Sequence, residues 1–170
     1  MSNLSLDFAE FYRGSKDECL LTVFVSVGDR DLAQELVAEA FARAWASWAK
    51  VSDHPAPEAW VVRTALNAHV SRWRRRRREV LLPDPTLVPD EPQTRDRDDG
   101  TLDPELLDAL LRLPVRQRQV VALRVFLDLD TDRTAELLGI AAGTVQAHLG
   151  RAIATLRSDL IPQPQQERLT

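Results

Sequence analysis

Residues 129–152 read Leu-Asp-Thr-Asp-Arg-Thr-Ala-Glu-Leu-Leu-Gly-Ile-Ala-Ala-Gly-Thr-Val-Gln-Ala-His-Leu-Gly-Arg-Ala. The spacing of apolar and turn-forming residues in this stretch predicts a helix-turn-helix. Asp130 or Thr131 is suited to cap the first helix, and Ala135 is small enough to let a second helix pack closely. Gly139 allows the turn between them.

The second helix of this motif carries the surface that would contact DNA. Ile140 fills the space between the two helices, and Thr144 is predicted to cap the second one. Helical periodicity places on its core side Val145, Leu149, Ala152, Leu156 and Leu160. The side chains that could reach base edges or phosphates in a major groove are Gln146, Ala147, Gly150, Arg151 and Thr155, with His148 beside them. A plain helical hairpin is the alternative, which the joint spacing disfavours.

Upstream of this motif the charge is strongly uneven. The 170 residues carry 22 Lys and Arg against 26 Asp and Glu, a formal charge of −4. Residues 58–82 nevertheless hold 7 Arg against two acids, including the run Arg72-Trp-Arg-Arg-Arg-Arg-Arg78, whereas residues 83–105 hold two Arg against eight acids. Because nucleic-acid binding depends on the local field of a basic patch, the acidic total does not exclude DNA.

The basic run ends a predicted helix from about Glu58 to Arg78. With 100° between successive residues, one narrow sector of this helix collects an indole, an amide, a hydroxyl and several guanidinium groups. Its members are Trp60, Arg63, Asn67, Ser71, Arg74 and Arg78. Aromatic faces stack on unpaired bases and Arg neutralises phosphates, so this face suits single-stranded nucleic acid. A solvated polar face, with Trp60 covering a neighbouring helix, is the alternative.

Two further helices are predicted ahead of the basic one. The apolar stretch from Leu6 to Val27 predicts a single helix, with an interruption conceivable at Gly14-Ser15. Asp29 is suited to cap the next helix. The predicted buried stripe of that helix is Leu32, Leu36, Ala40, Ala44 and Trp48, widened by Val37, Phe41 and Trp45.

An acidic segment divides the chain. Residues 82–92 carry four prolines, and the residues up to Gly100 are almost entirely polar, which predicts a linker without a core. A new helix is predicted to start at an N-cap, Asp103. The expected fold class is all-α, with two small helical domains at 1–81 and 102–162, an acidic linker at 82–101 and a tail at 163–170.

The composition excludes several classes of function. Cys19 is the single cysteine, and the three histidines are scattered, so we expect no disulfide, metal or cofactor. No phosphate-binding loop or nucleophile motif is present, so we expect no enzyme and no catalytic residue. The longest apolar run, residues 19–27, is far too short to span a bilayer, and the N-terminus lacks a signal-peptide pattern. We therefore expect a cytoplasmic protein without membrane insertion.

The order of these motifs resembles that of the extracytoplasmic-function (ECF) sigma factors, the smallest members of the bacterial sigma-70 superfamily. The segment Leu32-Ala-Gln-Glu-Leu-Val-Ala-Glu-Ala-Phe41 is similar to the region 2.2 helix. The segment Trp60-Val-Val-Arg-Thr-Ala-Leu-Asn67, followed by Trp73 and its arginines, looks like the region 2.3–2.4 helix. The segment Leu113-Pro-Val-Arg-Gln-Arg118 looks like the start of region 4, and the helix-turn-helix resembles its end.

The resemblance implies an RNA polymerase sigma factor, which binds core polymerase and directs promoter recognition and transcription initiation. It implies contact with the β′ clamp helices for Glu35, Glu39 and Arg43. It implies −10 element contacts, together with the loop at 52–56, for Trp60, Arg63, Asn67, Ser71, Arg74, Arg75 and Arg78. It implies −35 element contacts, in a lobe that also packs on the β flap, for Thr144, Gln146, Ala147, His148 and Arg151. An anti-sigma factor is a further expected partner.

Five positions depart from the family pattern. Gln34 precedes Glu35 where the family usually has a pair of acidic residues. Ala38 stands where the family usually has Gln, and Thr134 where it has Ile or Val. Gln146 and Ala147 replace the usual Lys and Ser of the recognition helix. Two other functions therefore stay open: a stand-alone helix-turn-helix regulator whose first lobe is a dimerisation or effector module, and a degenerate sigma-like protein that binds polymerase or a regulator without initiating transcription.

Overall fold

The computed structural model describes residues 2–79 and 102–162, and within these ranges all regular elements are helices. In chain order they are α1 (Ser2–Val27), α2 (Arg30–Ala46), α3 (Trp48–Val51), α4 (Pro57–Glu79), α5 (Pro104–Leu111), α6 (Val115–Val121), a π-helical turn (Ala122–Phe126), α7 (Thr131–Leu138) and α8 (Ala142–Leu160). The predicted all-α class is confirmed. The predicted linker at 82–101 and the predicted tail at 163–170 lie wholly outside the described residues, so the domain boundaries stay a prediction.

The N-terminal lobe, residues 2–79, is built on α1, α2 and α4. Helix α1 runs without interruption through Gly14, and the Ser15 hydroxyl donates to the Phe11 carbonyl oxygen at 2.6 Å. The predicted N-cap is confirmed, because the Asp29 carboxylate accepts from the Leu32 N–H at 3.0 Å. Buried aliphatic side chains from all three helices fill the core, among them Val23, Leu36, Ala40, Val62 and Leu66.

The predicted stripe of α2 is wrong at one residue. Trp45 is 48% exposed, and its ring lies 5.0 Å from that of Phe8, centroid to centroid. Helix α2 ends at Ala46, and the chain re-enters a helix after Ser47, which buries Trp48. Trp48 is thus buried as predicted, whereas Trp45 lies at the edge of an aromatic cluster.

The C-terminal lobe, residues 102–162, contains the predicted helix-turn-helix. The Asp103 carboxylate caps α5, and the Asp130 carboxylate caps α7 by accepting from the Arg133 N–H at 2.7 Å. Gly139 ends α7 in the left-handed conformation, with φ of 65°, which a glycine adopts without steric cost. The predicted cap at Thr144 is wrong, because α8 begins at Ala142.

The start of α8 is set by the backbone of Ala141. This residue is extended, with φ of −71° and ψ of 148°, and its side chain makes no capping hydrogen bond. The Thr144 N–H bonds to the Ala141 carbonyl oxygen at 3.0 Å, so Thr144 lies inside the first turn. The helix therefore starts three residues earlier than the capping preference of Thr predicts.

The two lobes pack on each other through α1. Val25 is fully buried in a cluster with Leu110, Leu113 and Val121 of the C-terminal lobe. The buried Arg118 guanidinium donates to the Leu111 carbonyl oxygen at 3.2 Å and to the Ser26 carbonyl oxygen, near the end of α1, at 3.4 Å. Burial of apolar surface on both sides of α1 holds the described residues in one body. No helix in the described part of the chain is long and apolar enough to cross a membrane.

Candidate nucleic-acid and protein interfaces

The polar sector of α4 faces solvent. Pro57 occupies the first helical position, where its missing N–H has no partner to lose. Trp60 is half-buried and packs on the core of the N-terminal lobe. The exposed residues of the predicted sector are Arg63, Asn67, Ser71, Arg74 and Arg78, and Arg75 is exposed beside them. This arrangement gives an indole edge and a row of guanidinium groups on one surface, which suits a single-stranded nucleic acid.

A cavity of about 330 Å³ lies next to Trp60. One wall belongs to the loop before α4 and to the start of that helix, including His54, Trp60 and Arg63. The other wall belongs to α7 and includes Arg133 and Glu136. The Ala56 N–H donates to His54 Nδ1 at 3.0 Å, which shapes the loop. The C-terminal lobe thus stands opposite the predicted −10 contact residues.

The predicted polymerase contacts on α2 form an ion-pair network with α4. Arg43 Nη2 lies 2.6 Å from Glu39 Oε1. Arg72 Nη2 lies 2.5 Å from Glu39 Oε2, and Arg72 Nη1 lies 2.8 Å from Glu35 Oε1. Desolvation opposes the shift, but the hydrogen bonds to both carboxylates raise the pKa of Arg72. The network therefore links the two glutamates of α2 to Arg72 of α4 through charge-assisted hydrogen bonds.

Sequence reasoning missed Arg72, because it stands in an arginine run that reads as a DNA-binding patch. Helical periodicity could have predicted its different role, because it places Arg72 on the same side of α4 as Val61 and Ala65, both fully buried. That side packs on α2. Arg72 is consequently separated from the exposed sector that begins at Trp60.

The helix-turn-helix presents most of its predicted contacts to solvent. The exposed residues of this set are Thr144, Gln146, Ala147 and Arg151, while His148 is half-buried with its Nδ1 lacking a hydrogen-bond partner among the described residues. Val145 and Ala152 are fully buried on the opposite side of α8, as predicted. Among the four exposed side chains Arg151 is the one cation, so this surface is weakly basic.

Two titratable groups lie inside the N-terminal lobe. Burial raises the pKa of the Cys19 thiol to about 12, with Glu58 and Glu18 adding to the shift. Such a thiol is protonated at neutral pH and unreactive. Burial also lowers the pKa of His69 from 6.5, assisted by Arg76 and Arg72 and opposed by Asp29. The lowered pKa means that burial favours the neutral over the charged form of this imidazole.

Family comparisons match both lobes. Residues 21–79 match the family described as Sigma-70 region 2, and residues 104–156 match Sigma-70, region 4. The ECF RNA polymerase sigma factor SigL of Mycobacterium tuberculosis is 33% identical over 137 residues, covering 78% of this chain and 77% of SigL. The RNA polymerase sigma-E factor of Streptomyces coelicolor is 35% identical over 160 residues, covering 92% of this chain and 87% of the sigma-E factor. The chain belongs to the ECF sigma factors.

A solved structure has the same fold as this ECF sigma factor. It is the co-crystal structure of the sigma factor RpoE in complex with the anti-sigma factor NepR from Bartonella quintana. The match has a TM-score of 0.72 at 24% identity and covers 91% of this chain and 96% of the other. The expected family and function, an RNA polymerase sigma factor, are confirmed. Sigma factors are transcription initiation factors and not enzymes.

Proposed function

We propose that this ECF sigma factor docks on core RNA polymerase through α2 and contacts promoter DNA through α4 and α8. The observation that carries the proposal is that the two lobes present two exposed surfaces of different chemistry. Helix α4 exposes an indole edge with a row of guanidinium groups, which suits unpaired bases. Helix α8 exposes the polar face of a helix-turn-helix, which suits a duplex major groove.

The finer assignment follows the family resemblance. The α2 surface around Glu35, Glu39 and Arg43 binds the β′ clamp helices, and the C-terminal lobe packs on the β flap. The α4 sector and the loop at 52–56 capture the −10 element, while α8 reads the −35 element. The domains act at 1–81 and 102–162, joined by the linker at 82–101, and the protein works in the cytoplasm, where its polymerase is. The RpoE relative is held by an anti-sigma factor, and we propose a partner of that class here.

Reconstitution with core RNA polymerase from the source organism tests this function. The assay follows co-elution and promoter-dependent run-off transcripts from genomic fragments. Co-elution with transcripts supports the proposal. Co-elution without transcripts favours a degenerate sigma-like protein. DNA binding without co-elution favours a stand-alone regulator, and either result contradicts the proposal.

A double substitution tests the −10 surface. Trp60→Ala with Asn67→Ala removes a stacking platform worth about 1–3 kcal/mol per base, so open-complex formation should fall at least about fivefold. Binding to core polymerase should stay unchanged, because neither side chain lies on the α2 surface. Tyr12→Ala, at an exposed aromatic residue of α1 outside both proposed surfaces, is the matched control. Loss of polymerase binding in the double variant would show that this face has another role.

A further inference from the structure

Arg72 is held in a geometry that its neighbours in the arginine run do not share. Its side chain is 30% exposed and donates to Glu35 and Glu39, which are 37 and 33 residues away in sequence. The flanking residues Ser71 and Arg74 are exposed. A planar guanidinium with two carboxylate partners is fixed in orientation, unlike an arginine that follows a phosphate backbone through solvent.

The network leaves one oxygen of the cluster open. Both carboxylate oxygens of Glu39 are engaged, one by Arg43 and the other by Arg72. Glu35 is 66% exposed and uses Oε1 for Arg72, so its Oε2 has no partner in the described part of the chain. Two arginines balance two glutamates. This cluster of four side chains therefore has no net charge. It offers one oriented hydrogen-bond acceptor, Oε2 of Glu35.

The residue at position 38 makes the orientation of the Glu35 carboxylate more important. Ala38 lies between the two glutamates on the exposed side of α2 and has no polar group to offer. A partner that approaches this side finds acceptors on Glu35, on Glu39 and on the exposed Asp31 one turn earlier, but none on the side chain of Ala38. An unrestrained Glu side chain loses rotamer entropy when another protein fixes it on binding. An intramolecular ion pair with Arg72 that already restrains Glu35 reduces that entropy cost.

We propose that Arg72 is a positioning residue of the polymerase-binding surface. It belongs functionally to α2 and not to the DNA-binding sector of α4. Arg72 orients the Glu35 carboxylate so that Oε2 meets a donor on the polymerase, and it keeps Glu39 aligned with Arg43. This inference rests on the proposed docking of polymerase on α2.

The test measures the affinity of the full chain for core RNA polymerase by fluorescence anisotropy. Arg72→Met keeps most of the aliphatic stem and removes the two donors, and it should weaken binding about fivefold, the scale of one well-made ion pair. Arg72→Lys retains one donor group and should recover part of the loss. Arg76→Met is the matched control, since Arg76 is an exposed neighbour outside both surfaces. Its affinity should equal that of the parent.

The Glu35→Gln background separates positioning from simple stabilisation. If Arg72 acts through Glu35, Arg72→Met should add little to the loss caused by Glu35→Gln, whereas independent effects would add in full. Thermal melting of each variant verifies that the chain is folded. If Glu35→Gln binds core polymerase more weakly than the parent but Arg72→Met binds it equally or more tightly, the role of Arg72 is wrong. The docking surface on α2 would still stand. Unchanged affinity of Glu35→Gln overturns the α2 docking surface itself, and the role of Arg72 with it.

Discussion

Thr134 shows how one buried hydroxyl lowers the stability of a small lobe. The side chain is fully buried in α7, and its Oγ1 has no hydrogen-bond partner among the described residues. A buried hydroxyl without a partner keeps the cost of its lost hydration. The family usually has an apolar branched residue here, which carries no such cost.

Thr134→Val should therefore stabilise the protein by about 1 kcal/mol, because it removes the hydroxyl and keeps the shape. Urea denaturation followed by circular dichroism measures the change. Thr155→Val, at an exposed position of α8, is the control and should shift stability by less than about 0.5 kcal/mol. A destabilised Thr134→Val protein would show that the hydroxyl has a partner, such as a buried water.

His69 links stability to pH. Its pKa is lower in the folded chain than its ordinary value of 6.5, mainly through burial. The unfolded chain then binds more protons than the folded one below about pH 6.5, so stability rises with pH in that window and falls on acidification. The stability that the protein loses through His69 on acidification is therefore retained at neutral pH.

His69→Gln should flatten the decrease of the melting temperature as the pH falls from about 7 to about 5.5. The parent chain, melted under the same conditions, gives the reference slope. Thermal melts at closely spaced pH values measure both slopes. An unchanged slope in the His69 variant would mean that His69 is protonated equally in both states.

At the scale of single elements, α8 has a well-buried apolar side but carries a destabilising glycine, Gly150, inside the helix. Gly150 is an exposed, helical residue, and a Cβ built on it meets nothing within 4 Å. Glycine inside a helix costs about 1 kcal/mol relative to alanine, because it has more backbone freedom to lose on folding. The recognition helix is therefore less stable than its length allows.

Gly150→Ala should raise the free energy of unfolding by about 0.5–1 kcal/mol. Gly139→Ala serves as the opposite case and should destabilise, since Gly139 has a φ of 65°. Chemical denaturation of both variants measures the difference. A destabilised Gly150→Ala protein would contradict an unstrained helix at this point.

At the scale of the whole molecule, the packing of the two lobes conflicts with simultaneous reading of two promoter elements. Elements centred 10 and 35 base pairs upstream lie about 85 Å apart along B-DNA at 3.4 Å per base pair. A compact body with as many residues as the structure describes has a radius of gyration of about 14 Å. The arrangement around α1 is too small to reach both elements, so the proposed binding of one element by each lobe requires the lobes to separate.

Energy transfer between dyes on Ala49→Cys and Ser158→Cys, with Cys19 replaced by alanine, measures that separation. Both labelled positions are exposed and lie in different lobes. Transfer should be efficient in the free protein and should fall when core polymerase and promoter DNA are added. A pair within the N-terminal lobe, Lys16→Cys with Ala49→Cys, should not change. Constant transfer between the lobes would show that one compact form binds the promoter.

Much of the architecture followed from the sequence, because it depends on contacts between residues close in the chain. The caps at Asp29, Asp103 and Asp130, the left-handed turn at Gly139 and the exposed sector of α4 each need only a few neighbouring residues. Helical periodicity and capping chemistry encode such features directly.

The tertiary structure alone decided the features that join distant segments. It turned Arg72 from the DNA-binding run toward two glutamates on α2, left Trp45 exposed, and buried Val25 against the other lobe. These outcomes depend on which helix faces pack together across 30 residues or more. A periodic pattern shows that a face is apolar or charged, but not which partner covers it, since many packings bury similar area and only the side-chain fit selects one.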